Sequence, residues 1–195
     1  MTSALILLSL LLLSCRHACA QTMAAPAPLE VTIAYSANRT TGLTGNSFWM
    51  AGGKAESNAA FTSKFSVVAE VAGEHAASIN PAHEGLSFVT YLIGPRYSLA
   101  GHSRFTPFGQ FLVGGVHGFD AFFPNASTSG SPPDALALAA GGGLNARLTQ
   151  RLALRACQVE YLQTHLPNDS GDRQNGLRLS AGIVFRFWGS RRAEP

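Results

Sequence analysis

Charged side chains that alternate with apolar ones along short segments are the residues of this chain with the clearest capacity for chemistry. They carry both signs and come from segments far apart in the sequence: Lys54, Glu56, Glu70, Arg96, Arg147, Arg155, Glu160, Arg178 and Arg186. Charges placed away from water are tolerated only where they pair, and the planar guanidinium of arginine can bridge two carboxylates. The pattern predicts an interior network of ion pairs and hydrogen bonds.

Arrangements that would support catalysis or ligand binding are weak. No histidine has a partner at the i, i+4 spacing of a helical metal site, and the sequence contains no C-x-x-C pair and no G-x-S-x-G segment. The glycine run 141–143 lacks the lysine of a phosphate-binding loop. We therefore predict no catalytic residues, no cofactor and no metal. Surface positions are predicted for the histidines beyond residue 20, which are His75, His83, His102, His117 and His165.

The first twenty residues have the pattern of a secretory signal peptide. The apolar run from Ala4 to Leu13 is too short for a hydrocarbon core of about 30 Å and is followed by the small-x-small sequence 18–20. We interpret residues 1–20 as a signal peptide and 21–27 as a linker, with lipidation of Cys15 as the alternative. Cleavage after Ala20 would leave Cys157 as the only cysteine, so no intramolecular disulfide is expected.

The composition favours a surface that meets lipid. Charged residues make up 13% of the chain, against roughly 25% in soluble domains. Beyond the signal, no run approaches the roughly 18 apolar residues of a transmembrane helix, so a membrane location would require a closed barrel. The net charge of +3 comes without a basic stripe, so we predict no nucleic-acid partner.

Apolar and polar residues alternate with a period of two, which predicts strands. The predicted strands are 29–36, 48–57, 61–72, 86–97, 105–116, 136–148, 152–162 and 177–188. The polar residues of the seventh change phase, which predicts a β-bulge near Ala156 or Cys157, and we predict that Cys157 is buried. Pro107 predicts a strand end or bulge.

The connections between these strands alternate between long and short. Long loops are predicted at Asn38–Ser47, His75–Glu84, Gly118–Asp134 and Thr164–Arg173. An even number of strands with this alternation predicts an all-β fold, an eight-stranded antiparallel up-and-down transmembrane β-barrel over residues 28–188, with a disordered tail at 189–195. Eight strands leave a lumen that side chains can fill.

The same alternation allows a soluble alternative. The charged face could be solvated on a β-sandwich or a lipocalin-like barrel, with the apolar face as the core. We favour the membrane barrel because little other hydrophilic surface is available on the first, sixth and eighth strands. In the eighth strand the odd positions 177–187 are then predicted to face lipid, while Arg178, Ser180, Gly182 and Arg186 face the lumen.

The end of the eighth strand carries a resemblance to a known family. Ser180-x-Gly182-x-x-Phe185-x-Phe187 resembles the terminal signal of bacterial outer-membrane barrels. With the glycine-rich sixth strand, residues 28–188 resemble the small OmpA-like outer-membrane β-barrel family. The resemblance implies a cell outer-membrane location, contact with outer-membrane lipid, and recognition by the barrel assembly machinery. In this chain Trp188 and a short tail follow Phe187, and the tail is too short to be a peptidoglycan-binding domain.

These features together predict a structural or adhesive outer-membrane protein that presents four external loops. Its lumen would be closed by the charge network. The alternatives are a narrow pore, a soluble periplasmic binder, or a lipid A-modifying enzyme such as some small barrels are. Only the enzyme would need His117 with Ser170 or Ser87 as catalytic residues. The sequence names no external ligand.

Overall fold

The computed structural model describes residues 29–41, 47–78, 85–99, 104–119, 134–166 and 173–187. Eight strands form a closed barrel in which each pairs antiparallel with the next and the last pairs with the first. They are β1 (Leu29–Thr41), β2 (Ser47–Ala60), β3 (Phe65–Ala76), β4 (Leu86–Ser98), β5 (Phe105–Phe119), β6 (Asp134–Arg147), β7 (Leu152–Thr164) and β8 (Gln174–Phe187). The predicted fold class is confirmed.

Several predictions concern other parts of the chain. The predicted signal peptide 1–20, linker 21–27 and tail 189–195, and most of the predicted long loops, lie outside the described residues. In the ranges given above, no helix is long and apolar enough to cross a membrane.

The alternation of side chains explains why these segments form barrel strands. In β1, Thr32, Ser36 and Asn38 are buried inside the barrel. Their neighbours Ile33 and Tyr35 point outward and are 60% and 65% exposed. Because successive residues of a strand point to opposite faces, this sequence places polar groups in the lumen and apolar groups outside.

The outer surface is apolar along the strands and carries aromatic side chains at the end with the short turns. Exposed aromatic side chains surround the end of the barrel where the chain makes its short turns, among them Phe61, Phe65, Tyr97, Phe105 and Phe187. Phe65 and Tyr97 pack edge to face with centroids 4.9 Å apart. Strands of 12 to 15 residues exceed the roughly 9–11 residues that cross a bilayer. The outer surface therefore has the length and polarity of a lipid-facing one.

Several predicted boundaries are wrong. β1 continues to Thr41, so Asn38 is a strand residue and not the start of a loop. The turn between β2 and β3 lies at 61–64, after the predicted turn at 58–60. There the Phe61 N–H donates to the carbonyl oxygen of Phe65 at 3.0 Å, and Thr62 Oγ1 accepts the Phe65 N–H at 2.9 Å. Because of these bonds the turn ends at Lys64, four residues after its predicted end at residue 60.

The strands also continue into the predicted loops at the other three long connections. His75, Gly118 and Thr164 are strand residues. Their backbones remain in the cross-strand pairing with β4 and β6. The long connections are therefore shorter than the sequence indicated.

The predicted bulge in β7 is confirmed. The pairing of β7 with β8 shifts between Arg155 and Gln158, where Ala156 and Cys157 both face outward. The extra residue lets Arg155 and Gln158 both point into the lumen. It also exposes Cys157 on the outer surface, so the prediction that this cysteine is buried is wrong.

Candidate functional site

The lumen is filled by two layers of side chains. Towards the end with the long connections, it contains a buried apolar cluster: Met50, Val68, Ala76, Leu86, Phe88, Leu92, Leu112, Val116, Ala137, Ala139, Leu162 and Leu166. Beside and below this cluster lie the buried charged residues, which we call the lumen network: Lys54, Glu56, Glu70, Glu74, Arg96, Arg155, Glu160 and Arg178.

Lys54 is the centre of the lumen network. Its Nζ lies 3.0 Å from Glu56 Oε1 and from Glu70 Oε2, and 2.9 Å from Glu160 Oε2. These carboxylates come from β2, β3 and β7, so a single ammonium group connects opposite walls of the barrel. All four side chains are fully buried.

Arg178 links the same carboxylates from the other side. Its guanidinium contacts Glu70 Oε1, and it donates through Nε and Nη2 to Glu160 Oε2 at 3.1 and 2.9 Å. Glycine at position 141 of β6 makes room for this arrangement, because a Cβ there would overlap the backbone and the Cγ atom of Glu160. The glycine-rich sequence of β6 thus permits the close approach that the network requires.

Glu56 is the second centre of the lumen network. Its Oε2 accepts from Arg96 Nη2 at 2.6 Å and also contacts Arg155 Nη1. Its Oε1 accepts from Gln158 Nε2 at 3.2 Å. The ring of Phe108 lies below both guanidinium groups, with its centroid 4.4 Å from Arg96 Cζ and 4.8 Å from Arg155 Cζ. Cation–π contact adds to the ion pairs at this position.

Neutral side chains add hydrogen bonds to the network. Gln110 accepts from Arg96 Nε at 2.8 Å and donates to Glu160 Oε1 at 2.7 Å, so it connects the two centres. Asn145 accepts from Arg155 Nε at 3.1 Å. The free-energy cost of burying a charge is largely offset when the charge is both paired and hydrogen-bonded. These amides therefore stabilise the ionised forms.

The lumen network is balanced in charge. Its four cations are matched by four carboxylates, of which Glu74 accepts a hydrogen bond from Asn38 Nδ2 at 2.8 Å. An unpaired charge in such a place costs several kcal/mol. The balance explains how so many ionised groups can lie in one closed barrel.

Arg147 and Arg186, which we predicted as members of the interior network, lie outside the lumen network. The prediction is corrected for these two residues. Arg186 pairs with Glu30 at 2.8 Å, and both side chains remain partly exposed. Arg147 is exposed at the last residue of β6. Both follow the inward alternation, but they lie at the end of the barrel, where water reaches them. The structure brings together the other predicted charges: Lys54, Glu56, Glu70, Arg96, Arg155, Glu160 and Arg178.

Other residues of the lumen network and its hydrogen-bond partners were not predicted, for identifiable reasons. Glu74 and Asn38 lie beyond the strand ends that we predicted, although the alternation continues through both. Gln110, Asn145 and Gln158 carry no charge, so a search for charged residues did not select them. Extending each strand for as long as its inward positions were polar would have found Glu74 and Asn38.

His117 and His75 form separate side-chain pairs on the outer surface. His117 Nδ1 lies 2.6 Å from Asp134 Oδ1, and His75 Nδ1 lies 2.9 Å from Ser87 Oγ. The structure thus pairs Ser87 with His75 and not with His117, while Ser170 lies outside the described residues. Among the residues of known position, no three potential ligands come together as a metal site would require.

The residues of the resembled terminal signal lie on both faces of β8. Ser180 and Gly182 point into the lumen, while Phe185 and Phe187 point outward. β8 pairs with β1 from Gly176 to Phe187 and so closes the barrel. A Cβ at Gly182 would overlap the carbonyl oxygen of Ile33, so glycine is required for this close pairing.

The chain is similar in fold to several solved outer-membrane proteins. Neisserial surface protein A (NspA) matches with a TM-score of 0.63 and 12% identity, covering 82% of this chain and 97% of that one. Ail, the attachment invasion locus protein of Yersinia pestis, matches with a TM-score of 0.57 and 15% identity over 83% and 99%. The outer membrane protein OprG from Pseudomonas aeruginosa matches with a TM-score of 0.57 and 13% identity over 84% and 97%.

No protein-family model matches the sequence, and no curated protein matches it. At these low identities the solved structures show the fold alone. The fold is that of the small eight-stranded outer-membrane β-barrels, as the sequence resemblance implied.

Proposed function

Because the chain has the fold of the small outer-membrane β-barrels, we propose that it spans the bacterial outer membrane as a closed barrel with a structural or adhesive role. The single observation that carries this proposal is the filled lumen. Ion pairs join β2 to β7 and β3 to β8 across the interior, and an apolar cluster fills the adjoining space. A barrel with a filled lumen acts through the residues that it presents at its surface.

The outer surface supports the membrane location. Large apolar side chains such as Ile33, Val71 and Ile93 are more than half exposed at the middle of their strands. In water such a belt would favour aggregation, whereas in a bilayer it is solvated by lipid. Export through the predicted signal peptide, and assembly through the Ser180-to-Phe187 signal, are part of the same proposal.

The side chains that fill the lumen argue against the pore alternative. Opening a path would require Lys54 and Arg178 to leave Glu70 and Glu160 together, which exposes four charges in a space lined by apolar groups. Separating buried charges in this way is costly. We therefore expect no steady conductance.

The adhesive part of the proposal concerns the end of the barrel with the long connections. β1 to β8 bring the ends of the predicted segments 38–47, 75–84, 118–134 and 164–173 to one side of the barrel. Ail, whose fold is similar, is named an attachment invasion locus protein, and NspA is named a surface protein. Presentation of loops on a rigid barrel is a common way to carry binding residues.

The proposal includes no catalytic step. His117 and Ser87 have other hydrogen-bond partners on the outer surface. We therefore expect lipid A from cells that express the wild type and the His117→Ala variant to have the same acyl chains. A change that depends on His117 would favour the enzyme alternative.

Fractionation and surface binding test the proposal. We expect recovery in the outer-membrane fraction, heat-modifiable gel mobility, and a silent planar bilayer. Replacing residues 120–133 with a Gly-Ser linker of equal length should lower cell adherence while heat modifiability is retained. A variant with Ser63 and Lys64 of the short β2–β3 turn replaced by Gly and Ser is the control and should adhere normally. Extraction in aqueous buffer, or adherence unchanged after all four predicted loops are replaced, would contradict the proposal.

A further inference from the structure

A basic cleft lies at the end of the barrel with the short turns. The cleft has a volume of about 590 Å³, and we call it the arginine cleft after its lining residues: Arg104, Arg147, Leu148, Thr149, Gln150 and Arg186. It lies outside the lumen network. None of the functions considered so far uses it.

The register of the strands explains why the arginines converge. The Arg147 N–H donates to the carbonyl oxygen of Arg104 at 2.8 Å, and the Arg186 N–H donates to that of Arg151 at 2.8 Å. Arg147 continues the inward alternation of β6 beyond the buried residue Asn145, and Arg186 continues that of β8 beyond the buried residue Val184. The ends of β6 and β8, and the residue just before β5, therefore bring three arginines to the cleft.

Carboxylates at this edge are fewer than cations. In the part of the chain that the structure describes, Glu30 is the only carboxylate that pairs with any of these arginines, and it binds Arg186 at 2.8 Å. No ion pair between described residues involves Arg104 or Arg147, and both side chains are exposed. Like charges held close together repel, and an anion between them removes that repulsion.

The position of the cleft along the barrel axis indicates which anions can reach it. Outward-facing aromatic side chains at the same end, including Phe65, Tyr97 and Phe187, form the kind of girdle that marks the membrane–water interface. Leu148, which is 60% exposed, lines the cleft itself. The arginines thus lie at the level of lipid headgroups, where phosphate is the abundant anion.

We propose that the arginine cleft binds a phosphate-bearing group, supplied by an anionic phospholipid headgroup or by free phosphate. Guanidinium forks bind phosphate through paired N–H donors, and a phosphate group offers enough oxygens for two or three forks at once. Thr149 Oγ1 accepts the backbone N–H groups of Arg151 and Leu152 at 3.2 and 3.0 Å, so its hydroxyl proton can point elsewhere and donate. The lipid source depends on the proposed membrane location, whereas binding of free phosphate does not.

Thermal unfolding of the full chain in dodecylmaltoside micelles tests the site. The unfolding midpoint is read from heat-modifiable gel mobility while sodium phosphate replaces sodium chloride at constant ionic strength. In parallel arms, phosphatidylglycerol or phosphatidylcholine is added to the micelles. A ligand that binds only the folded state raises the midpoint with its concentration until binding saturates.

The matched variants are Arg104→Gln with Arg147→Gln, and Arg39→Gln as control. Arg39 is an exposed arginine at the opposite end of the barrel, bonded to Ser47 at 3.0 Å. The midpoint of the wild type and of R39Q should rise, while the double variant should need at least about tenfold more ligand, because two charge-assisted hydrogen bonds are lost.

The arms identify the source of the phosphate group. A rise with phosphatidylglycerol alone assigns the cleft to lipid, and a rise with sodium phosphate assigns it to a free ion. Equal shifts in the double variant, or no rise with either ligand in the wild type, would overturn the proposal. Should the double variant fail to fold, Arg147→Gln alone is used with the same expectation. None of these outcomes depends on whether the protein adheres to a surface.

Discussion

Glu56 shows at the level of single residues how the lumen network is held together. Its two carboxylate oxygens interact with Lys54, Arg96 and Arg155, which come from three different strands. Each of these cations is buried, so none can turn to water if the carboxylate is lost. The stability of the network is therefore shared among few groups, and Glu56 is one of them.

Replacing Glu56 with Gln should destabilise the barrel strongly. The variant leaves Arg96 and Arg155 without their shared carboxylate, and breaking a buried pair costs about 3–5 kcal/mol. Urea unfolding in phosphatidylcholine vesicles measures the change in the free energy of unfolding. Glu30→Gln is the matched control, because Glu30 also pairs with an arginine but both side chains are partly exposed. That change should cost at most about 1 kcal/mol. Equal costs for the two variants would contradict this account.

The strands show how far the sequence alone could be interpreted. Alternation identified all eight elements and the bulge in β7, because apolar residues occupy most outward positions of the strands. It failed where inward polar residues continued into a strand end, since Asn38 and Thr40 of β1 are residue types that also occur in loops. The turn at 61–64 depends on hydrogen bonds of Thr62, and strand periodicity contains no information about them.

Deleting Ala156 should leave the barrel folded. Ala156 and Cys157 together oppose one position of β8, so removing one residue restores simple alternation with Arg155 and Gln158 still inward. Deleting Val159 instead should abolish folding, because Gln158 and Glu160 could no longer both face the lumen. The folded fraction after dilution into vesicles, measured by heat-modifiable mobility, compares the two variants. The account would be wrong if both deletions folded equally well.

The barrel holds paired charges beside an apolar cluster in its lumen, and it carries apolar groups on its outer surface. Composition indicated this arrangement, because a chain with 13% charged residues has few to spare for a surface in water. The partners inside the lumen could not be predicted. Which carboxylate meets which cation depends on the stagger of strands that are distant in sequence, as with Lys54 and Glu160.

An arginine on the outer surface should have a cost that depends on its depth. Ile33 lies at the middle of β1 and is 60% exposed, whereas Leu29 lies at its end. In a bilayer, Ile33→Arg should lower the free energy of unfolding by about 2–4 kcal/mol and Leu29→Arg by at most about 1 kcal/mol. Both are measured by urea unfolding in vesicles. No difference between the two would indicate that this surface faces water.

The pairing of β1 with β8 has a consequence for how the molecule forms. Thr40 pairs with Gly176 and Leu29 with Phe187, so this pairing joins residues near opposite ends of the barrel sequence. Such non-local pairing makes folding slow, and it leaves both edge strands with unpaired backbone groups until the end. An intermediate in which β1 and β8 are not yet paired therefore exposes two sheet edges that can pair with other chains. A chain that folds in this order would need those edges protected until the barrel closes.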